Sequence, residues 1–311
     1  MYLFIVNPLA GGGKAKKIWE KRIKPYLKKT KITGDVRFTE RSGHALELAY
    51  DLAPKFRVVV SVGGDGTHNE VISGLARRSF GEVEVGFLTV GTGGDLRRVL
   101  GLPRDPIAQL NAIQQDQITR LDVGEVTYTN FSGQEETRHF INIASMGISG
   151  EVDRIVNRSS KRLGGFLSFL RASLTAILTY RAQRIRILLD GTELPERPLY
   201  LVAVANGRWF GGGMMVAPRA LPTDGLFDLV MVEDLSLWKV FRSMGKIYLG
   251  THLQSPEVSY LRGREVRASS SGEVLLDIDG EPLGKLPAIF RILPEAIKVR
   301  GYRGPRSHSE P

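Results

Sequence analysis

The sequence predicts an α/β protein in two parts: an N-terminal α/β domain with a parallel sheet and helices on both faces, then a C-terminal, mostly antiparallel β domain. Three observations carry this. Up to about residue 120, short apolar runs alternate with helix-period stretches, and that βαβα order requires a parallel sheet. Beyond it, strand-like runs follow one another between turn signals, which is the pattern of antiparallel sheets. A chain of 311 residues also suits two domains at roughly 150 residues each. The expected boundaries are 1–122, 123–300 and a polar tail at 301–311.

Tyr2–Val6 is a short apolar run ending at Asn7-Pro8 and reads as a buried strand. A helix follows, with Ile18, Trp19, Ile23, Tyr26 and Leu27 on one face and most of the lysines opposite. Val36–Phe38 is a weak strand, and Ala45, Leu48, Ala49 and Leu52 mark a second helix. Val58–Val62 is a β-branched run stopped by glycine, another buried strand. A helix over Asn69–Leu75, a strand over Val83–Val90 and a helical turn at Leu96–Leu100 complete this part. Later strands are expected at Val123–Thr129, His139–Ile143, Arg184–Leu189, Leu199–Ala205, Leu226–Val232, Val274–Ile278 and Ala288–Leu293. Helices are expected at Phe166–Leu178 and Leu237–Leu249. The Phe/Leu stripe of the former is read first as core and only second as the border of a lipid-tail cleft.

With no cysteine, disulfide scaffolds, thiolate metal sites and cysteine nucleophiles are excluded. The five histidines (44, 68, 139, 252, 308) are scattered without metal-ligand spacing. Charge is concentrated: residues 14–31 hold nine Lys/Arg against one acid, and residues 154–186 hold eight and none, within a net charge of +10. Such patches suit phosphates or an anionic membrane surface, or a plain solvated helix face. Met1–Val6 lacks a basic leader region, and the best apolar stretch, 163–180, is cut by Arg171. The expectation is a cytoplasmic protein that touches a membrane peripherally without crossing it.

Glycine is the compositional outlier, 35 residues where average usage gives about 22. Twelve lie in four patches: Gly11–Gly13, Gly63-Gly64-Asp65-Gly66, Gly91-Thr92-Gly93-Gly94 and Gly211–Gly213. Three patches each follow a predicted parallel strand. Glycines there let backbone amides approach a phosphate, at the strand ends where open α/β sheets bind ligands. Three such loops in one domain point to converging polyphosphate contacts. Familiar signatures are absent: Pro8 and Ala15 break a P-loop, while Leu96 and Asn69 break a dinucleotide fingerprint.

Gly63-Gly64-Asp65-Gly66-Thr67-His68-Asn69-Glu70 resembles the GGDGTxNE signature of the diacylglycerol kinase catalytic domain family, which includes sphingosine and ceramide kinases. Five further segments resemble that family in order, over about 275 residues. They are Asn7-Pro8 with its glycines, Thr39 with Gly43-His44-Ala45, Gly91–Asp95, Asn206 through Gly211–Gly213 and Pro218 to Asp224-Gly225, and Asp279-Gly280-Glu281. The resemblance implies an α/β nucleotide-binding domain plus a C-terminal β-sandwich domain. It implies nucleotide contacts at Asn7, Thr39, Gly63, Gly64, Asp65, Gly66, Thr67, His68, Asn69 and Thr92. It also implies Mg²⁺ at Leu221, Asp224 and Leu226, against the plainer reading of a turn at Asp224-Gly225. Asp65 is expected to orient the acceptor or hold Mg²⁺ through water, the alternative being a cap on the helix that follows. Asp279 and Glu281 supply a general base, either one serving, although locally Asp-Gly reads as a hairpin turn. In one place the chain departs from the family: Gly94 stands where its members usually carry Asn.

The resemblance puts first an ATP-dependent, Mg²⁺-requiring kinase for a hydroxyl of diacylglycerol or a related lipid at the membrane surface. Sphingoid bases, ceramide and phosphatidylglycerol are further acceptors. An NAD kinase shares the GGDG loop, but Asn7-Pro8 and the Asn206–Asp224 stretch resemble the lipid branch. A catalytically silent module binding anionic membranes is the third reading; carboxylates beside a phosphate site argue against it. No nucleic-acid partner is expected.

Overall fold

The computed structural model describes residues 1–78, 82–91, 94–158 and 165–304. The chain divides into two units: Met1–Val123 with Gly211–Gly213 and the segment from Pro294, and Gly124–Phe210 with Met214–Leu293.

The first unit runs β1 (Tyr2–Val6), α1 (Lys14–Ile18), a wide π turn (Trp19–Ile23), α2 (Lys24–Lys29), β2 (Gly34–Phe38), α3 (His44–Leu52), β3 (Val58–Gly63), α4 (Asp65–Ala76), β4 (Glu84–Thr89), α5 (Asp95–Val99), α6 (Pro106–Gln114) and the start of β5 (Ile118–Asn130). Its sheet has the order β2-β1-β3-β4 and is parallel throughout. The end of β15 (Glu281–Arg300) adds a fifth parallel strand through Lys298 and Val299. All six residues of β3 and of β4 are buried, as expected of strands covered on both faces. Phe4, Val6, Val58, Val60, Val62, Leu88 and Val90 pack against Trp19, Ile23 and Leu27 on one face, together with Leu110 and Ile113 of α6.

Ala15, Trp19, Ile23 and Leu27 are all buried, yet their spacing of four drifts about 40° per step around an ordinary α-helix. The π turn holds four or more residues per turn and removes that drift. It also lies directly before Pro25, whose ring and missing N–H disfavour a regular turn. Two elements differ from expectation: α4 begins at Asp65 rather than at Asn69, and α6 went unrecognised in the sequence. Pro106 at its start is capped by the Asp105 carboxylate, which accepts from Ala108 N at 3.1 Å.

The second unit continues β5 and adds β6 (Glu135–Phe140), β7 (Ile143–Gly147), α7 (Ile148–Arg158), α8 (Gly165–Thr179), β8 (Gln183–Leu189), β9 (Thr192–Glu193), β10 (Arg197–Ala205), β11 (Phe227–Glu233), α9 (Leu237–Leu249), β12 (Val258–Gly263), β13 (Glu265–Ser269), β14 (Leu275–Ile278) and most of β15. The ladders β5–β6, β7–β10, β7–β14, β8–β9, β8–β10, β8–β13, β10–β11, β11–β12, β13–β15 and β14–β15 are antiparallel. Strands β10, β7, β14, β15, β13 and β8 form a closed cycle of neighbours. It closes because β10 changes partner: Arg197–Leu199 pair with β8 and Leu201–Ala205 with β7, the change falling where the ladder to β11 on its other edge shifts register between Leu199 and Leu201. Phe140, Phe227, Phe290, Met146 and Val202 lie in the enclosed core. The predicted strand at His139–Ile143 is two strands, β6 and β7, separated at Ile141-Asn142, and β12, β13 and α7 were not foreseen. The parallel α/β part and the antiparallel sandwich-like part are those the sequence predicts.

Candidate active site

In the first unit the chain reverses its winding direction between β1 and β3: β1 leads outward to β2, whereas β3 leads the other way to β4. The loops after β1 and β3 therefore flank the crevice where such sheets bind ligands. Asn7 Nδ2 crosses it, donating to Thr67 Oγ1 at 2.9 Å. The glycine loops touch. A side-chain carbon on Gly11, itself at φ 62°, would lie 2.9 Å from Val90 O, and one on Gly91 would lie 3.4 Å from Gly64 Cα. All three loops thus present bare backbone at one rim. Thr39, 8% exposed, sits on the same rim, its amide donating to Val6 O at 2.9 Å. A cavity of about 310 Å³ opens beside the first and third loops, walled by Gly11, Lys14, Arg22, Gly91 and Arg104. Thr92 lies outside the described residues.

The Asp65 carboxylate is engaged by the loop after β4. Its Oδ2 accepts from Gly94 N at 2.9 Å and Asp95 N at 3.1 Å, and its Oδ1 from Leu96 N at 3.2 Å. The carboxylate caps α5, the helix of the neighbouring loop, rather than α4, which follows it. Glu70 acts likewise on α3, accepting from Gly43 N at 2.9 Å and Ala45 N at 3.1 Å. Asp95 in turn accepts from Gly212 N at 2.7 Å and pairs with Arg98 at 2.6 Å. Burial pushes the Asp95 carboxyl up, against the Gly212 amide and Arg98, which favour its charged form. Gly94 holds φ 73°, ψ 39°, a left-handed conformation that Gly and Asn adopt most readily. The exchange of Asn for Gly keeps the turn and removes the carboxamide.

His68 is a correction. The sequence places it among nucleotide contacts, but its side chain is fully buried, with Nδ1 2.8 Å from Ser61 Oγ and Nε2 3.2 Å from Thr89 Oγ1. The Phe87 ring meets it edge-on, centroids 5.2 Å apart. Burial pushes its pKa down to about 4, with Asp65 opposing, so the ring is a neutral structural bridge between β3, β4 and α4. Asn69 is half-buried and accepts from Ser73 Oγ at 3.4 Å.

In the second unit, Asp279 and Gly280 have φ of 49° and 88°, joining β14 to β15 through a two-residue turn with both residues left-handed. The Asp279 carboxylate accepts from Ile141 N (3.1 Å), Asn142 N (3.2 Å) and Ile143 N (2.9 Å). It fills the gap between β6 and β7, so its oxygens are engaged by backbone. Glu281 begins β15 with an exposed side chain. Asn206 Nδ2 donates to Ile141 O at 2.8 Å, adding support from below.

The Mg²⁺ ligands implied at Leu221, Asp224 and Leu226 are not supported by what surrounds them. Asp224 Oδ1 accepts from Leu226 N at 3.1 Å, and Oδ2 takes the Arg262 guanidinium. Arg262 is fixed there because it sits directly across the β11–β12 ladder from Asp228, whose Oδ2 is 3.7 Å from Arg262 Nε. The single carboxylate of the set is neutralised by the chain's own cation. The one carboxylate implied as a ligand is thus taken by Arg262, and no group of three or more His, Asp or Glu that could hold a metal ion lies among the described residues.

The diacylglycerol kinase catalytic domain family matches residues 1–126, and the family described as the YegS C-terminal NAD kinase beta sandwich-like domain matches residues 142–301. A diacylglycerol kinase of Staphylococcus saprophyticus is 30% identical over 300 residues, covering 95% of this chain and 93% of that protein. A crystal structure of a diacylglycerol kinase from Bacillus anthracis superposes with a TM-score of 0.71 at 21% identity, covering 96% of each chain. An NAD kinase from Archaeoglobus fulgidus in complex with ATP has a TM-score of 0.51 at 14% identity, covering 98% of this chain and 94% of that one. These two share the fold. The molecule is thus a lipid kinase by class. The chain belongs to the diacylglycerol kinase family.

Proposed function

We propose that this kinase transfers the γ-phosphate of ATP to a hydroxyl of diacylglycerol. The observation that carries the reading is the rim of three touching glycine loops in the first unit, with Lys14 and Arg104 in the cavity beside it. Phosphoryl transfer needs positioning and charge neutralisation more than covalent chemistry. The amides of Gly63–Thr67 and of the Gly11–Gly13 loop cradle the phosphates, and the Asn7–Thr67 hydrogen bond and the Asp65 cap hold those loops still. Magnesium arrives with the nucleotide as the MgATP substrate and neutralises the phosphate oxygens; the chain itself positions them. Glu281 takes the proton of the acceptor hydroxyl, because Asp279, the other candidate, has its oxygens committed to three backbone amides. Asp279 orients the turn that carries Glu281.

The test is labelled ATP supplied with diacylglycerol, sphingosine, ceramide, phosphatidylglycerol, NAD or no acceptor. Phosphatidic acid as the main product is the expected result. Labelled product from NAD alone, or faster turnover of any other lipid, overturns the assignment of acceptor.

A further inference from the structure

Helix α9 is unusual in which side it shows to water. It buries Val240 and half-buries Ile247. Trp238, Arg242 and Leu249 fall within about 40° of one another on the opposite side, at 100° per residue. Trp238 is 76% exposed and Leu249 74%, with Tyr248 at 50%. A surface helix normally turns charge outward and apolar groups inward; this one has apolar groups on both sides. Helix α8 packs next to it through Ile177, which shares a buried cluster with Val240 and Tyr200. It adds Leu174 and Leu178, 39% and 56% exposed.

The charge carried by the two helices themselves has one sign. Lys239, Arg242 and Lys246 lie on α9 and Arg171 on α8, and neither helix contains an acid. Lys239 pairs with Glu257 at 2.6 Å and Lys246 donates to Ser255 Oγ at 3.4 Å; Arg242 points to solvent. We propose that the outward side of α9, with Leu174 and Leu178 of α8, docks on the headgroup region of an anionic phospholipid bilayer. Trp and Tyr favour that boundary, where an apolar ring and a polar edge are both accommodated. The cationic flank meets the negative surface potential. No helix among the described residues is long and apolar enough to cross a membrane, so α9 lies in the plane of the surface. A second copy of the chain is a poorer occupant. A two-fold contact would set Arg242 and its neighbours against their own like charges.

The proposal rests on the lipid-acceptor reading only for its purpose, and its test needs no turnover. Wild-type protein is sedimented with vesicles of phosphatidylcholine alone, or of phosphatidylcholine with phosphatidylglycerol, without ATP. Binding to the anionic vesicles is expected, with a blue shift of tryptophan emission. Trp238→Ser/Leu249→Ser should weaken it about tenfold or more, and Arg242→Gln about fivefold, while each variant keeps the wild-type melting temperature. Absence of wild-type binding, equal binding to neutral vesicles, or unchanged binding of the double variant overturns the proposal. So does light scattering that finds a wild-type dimer and a monomeric double variant. Failure of the acceptor assay with vesicle binding intact would instead remove the function proposed above and leave this surface standing.

Discussion

Acidification should destabilise the protein through His68, and the size of the effect follows from its surroundings. The ring is fully buried among Ser61, Thr89 and Phe87, and burial holds its pKa at about 4, against roughly 6.5 in an unfolded chain. Between those values the unfolded state binds the extra proton, so stability falls as pH drops through the window. Going from near pH 7 to about pH 5, the linkage from this one group amounts to about 2 kcal/mol. Urea melts followed by tryptophan fluorescence at both pH values would measure it. His68→Gln keeps a donor and an acceptor for Ser61 and Thr89 but does not titrate. It should be less stable than wild type near neutrality, yet lose about 2 kcal/mol less on acidification. If wild type and variant lose stability in parallel, the ring either charges freely in the fold or is not buried as described, and the argument fails.

Glu281→Gln should lower turnover about 10²- to 10⁴-fold, the range of one general base, with ATP binding measured by calorimetry unchanged. Asp279→Ala should lower turnover and the melting temperature together, because three amides between β6 and β7 lose their acceptor; loss of activity at an unchanged melting temperature would make Asp279 the base instead. Arg300 is 3% exposed and pairs with Glu84 and, at 3.2 Å, with Asp116. Arg300→Ala should cost about 3 kcal/mol or less in denaturant unfolding, since buried Glu84 keeps only the exposed Arg57, at 3.2 Å, as its cation. Excess EDTA should leave the melting temperature of nucleotide-free protein unchanged, because Arg262 already neutralises Asp224; a fall of several degrees would place a divalent ion in that loop.

Strands β1, β3 and β4 were legible because strands buried on both faces are mostly apolar, and these runs are short and sharply ended, β1 by Asn7-Pro8 and β3 and β4 by glycine. The loops after them were legible for the same reason. Helix α6 was not: Pro106–Gln114 carries Gln109 fully buried, its Oε1 accepting from Thr89 N at 2.7 Å, and a buried glutamine breaks the apolar stripe by which a helix is recognised. His68 was misplaced because a histidine inside a glycine-rich signature has no local mark of burial. His68 is on α4, whereas its partners Ser61 and Thr89 lie on β3 and β4, seven and 21 residues away. Nothing near Asp224 in sequence announces Arg262, 38 residues on, which reaches it only through strand pairing.

The acids of the signature motifs explain why those motifs occur together. Read singly, Asp65 and Asp279 are candidates for chemistry and Glu70 is the closing residue of its signature. In the fold each carboxylate gathers the backbone amides of a different segment. Asp65 takes residues 94–96, Glu70 takes Gly43 and Ala45, and Asp279 takes residues 141–143. Asp95, inside the segment that Asp65 holds, extends the chain of dependence to Gly212. A carboxylate accepting several N–H groups is a strong, directional clamp, and it immobilises loops whose glycines would otherwise leave them slack. The glycines provide access for a phosphate and the acids restore the order that glycine costs. Within the first unit, then, the loops at residues 43–45, 63–70, 94–96 and 211–213 form one hydrogen-bonded assembly, and a change to Asp65 is felt first at α5, not at the loop that contains it.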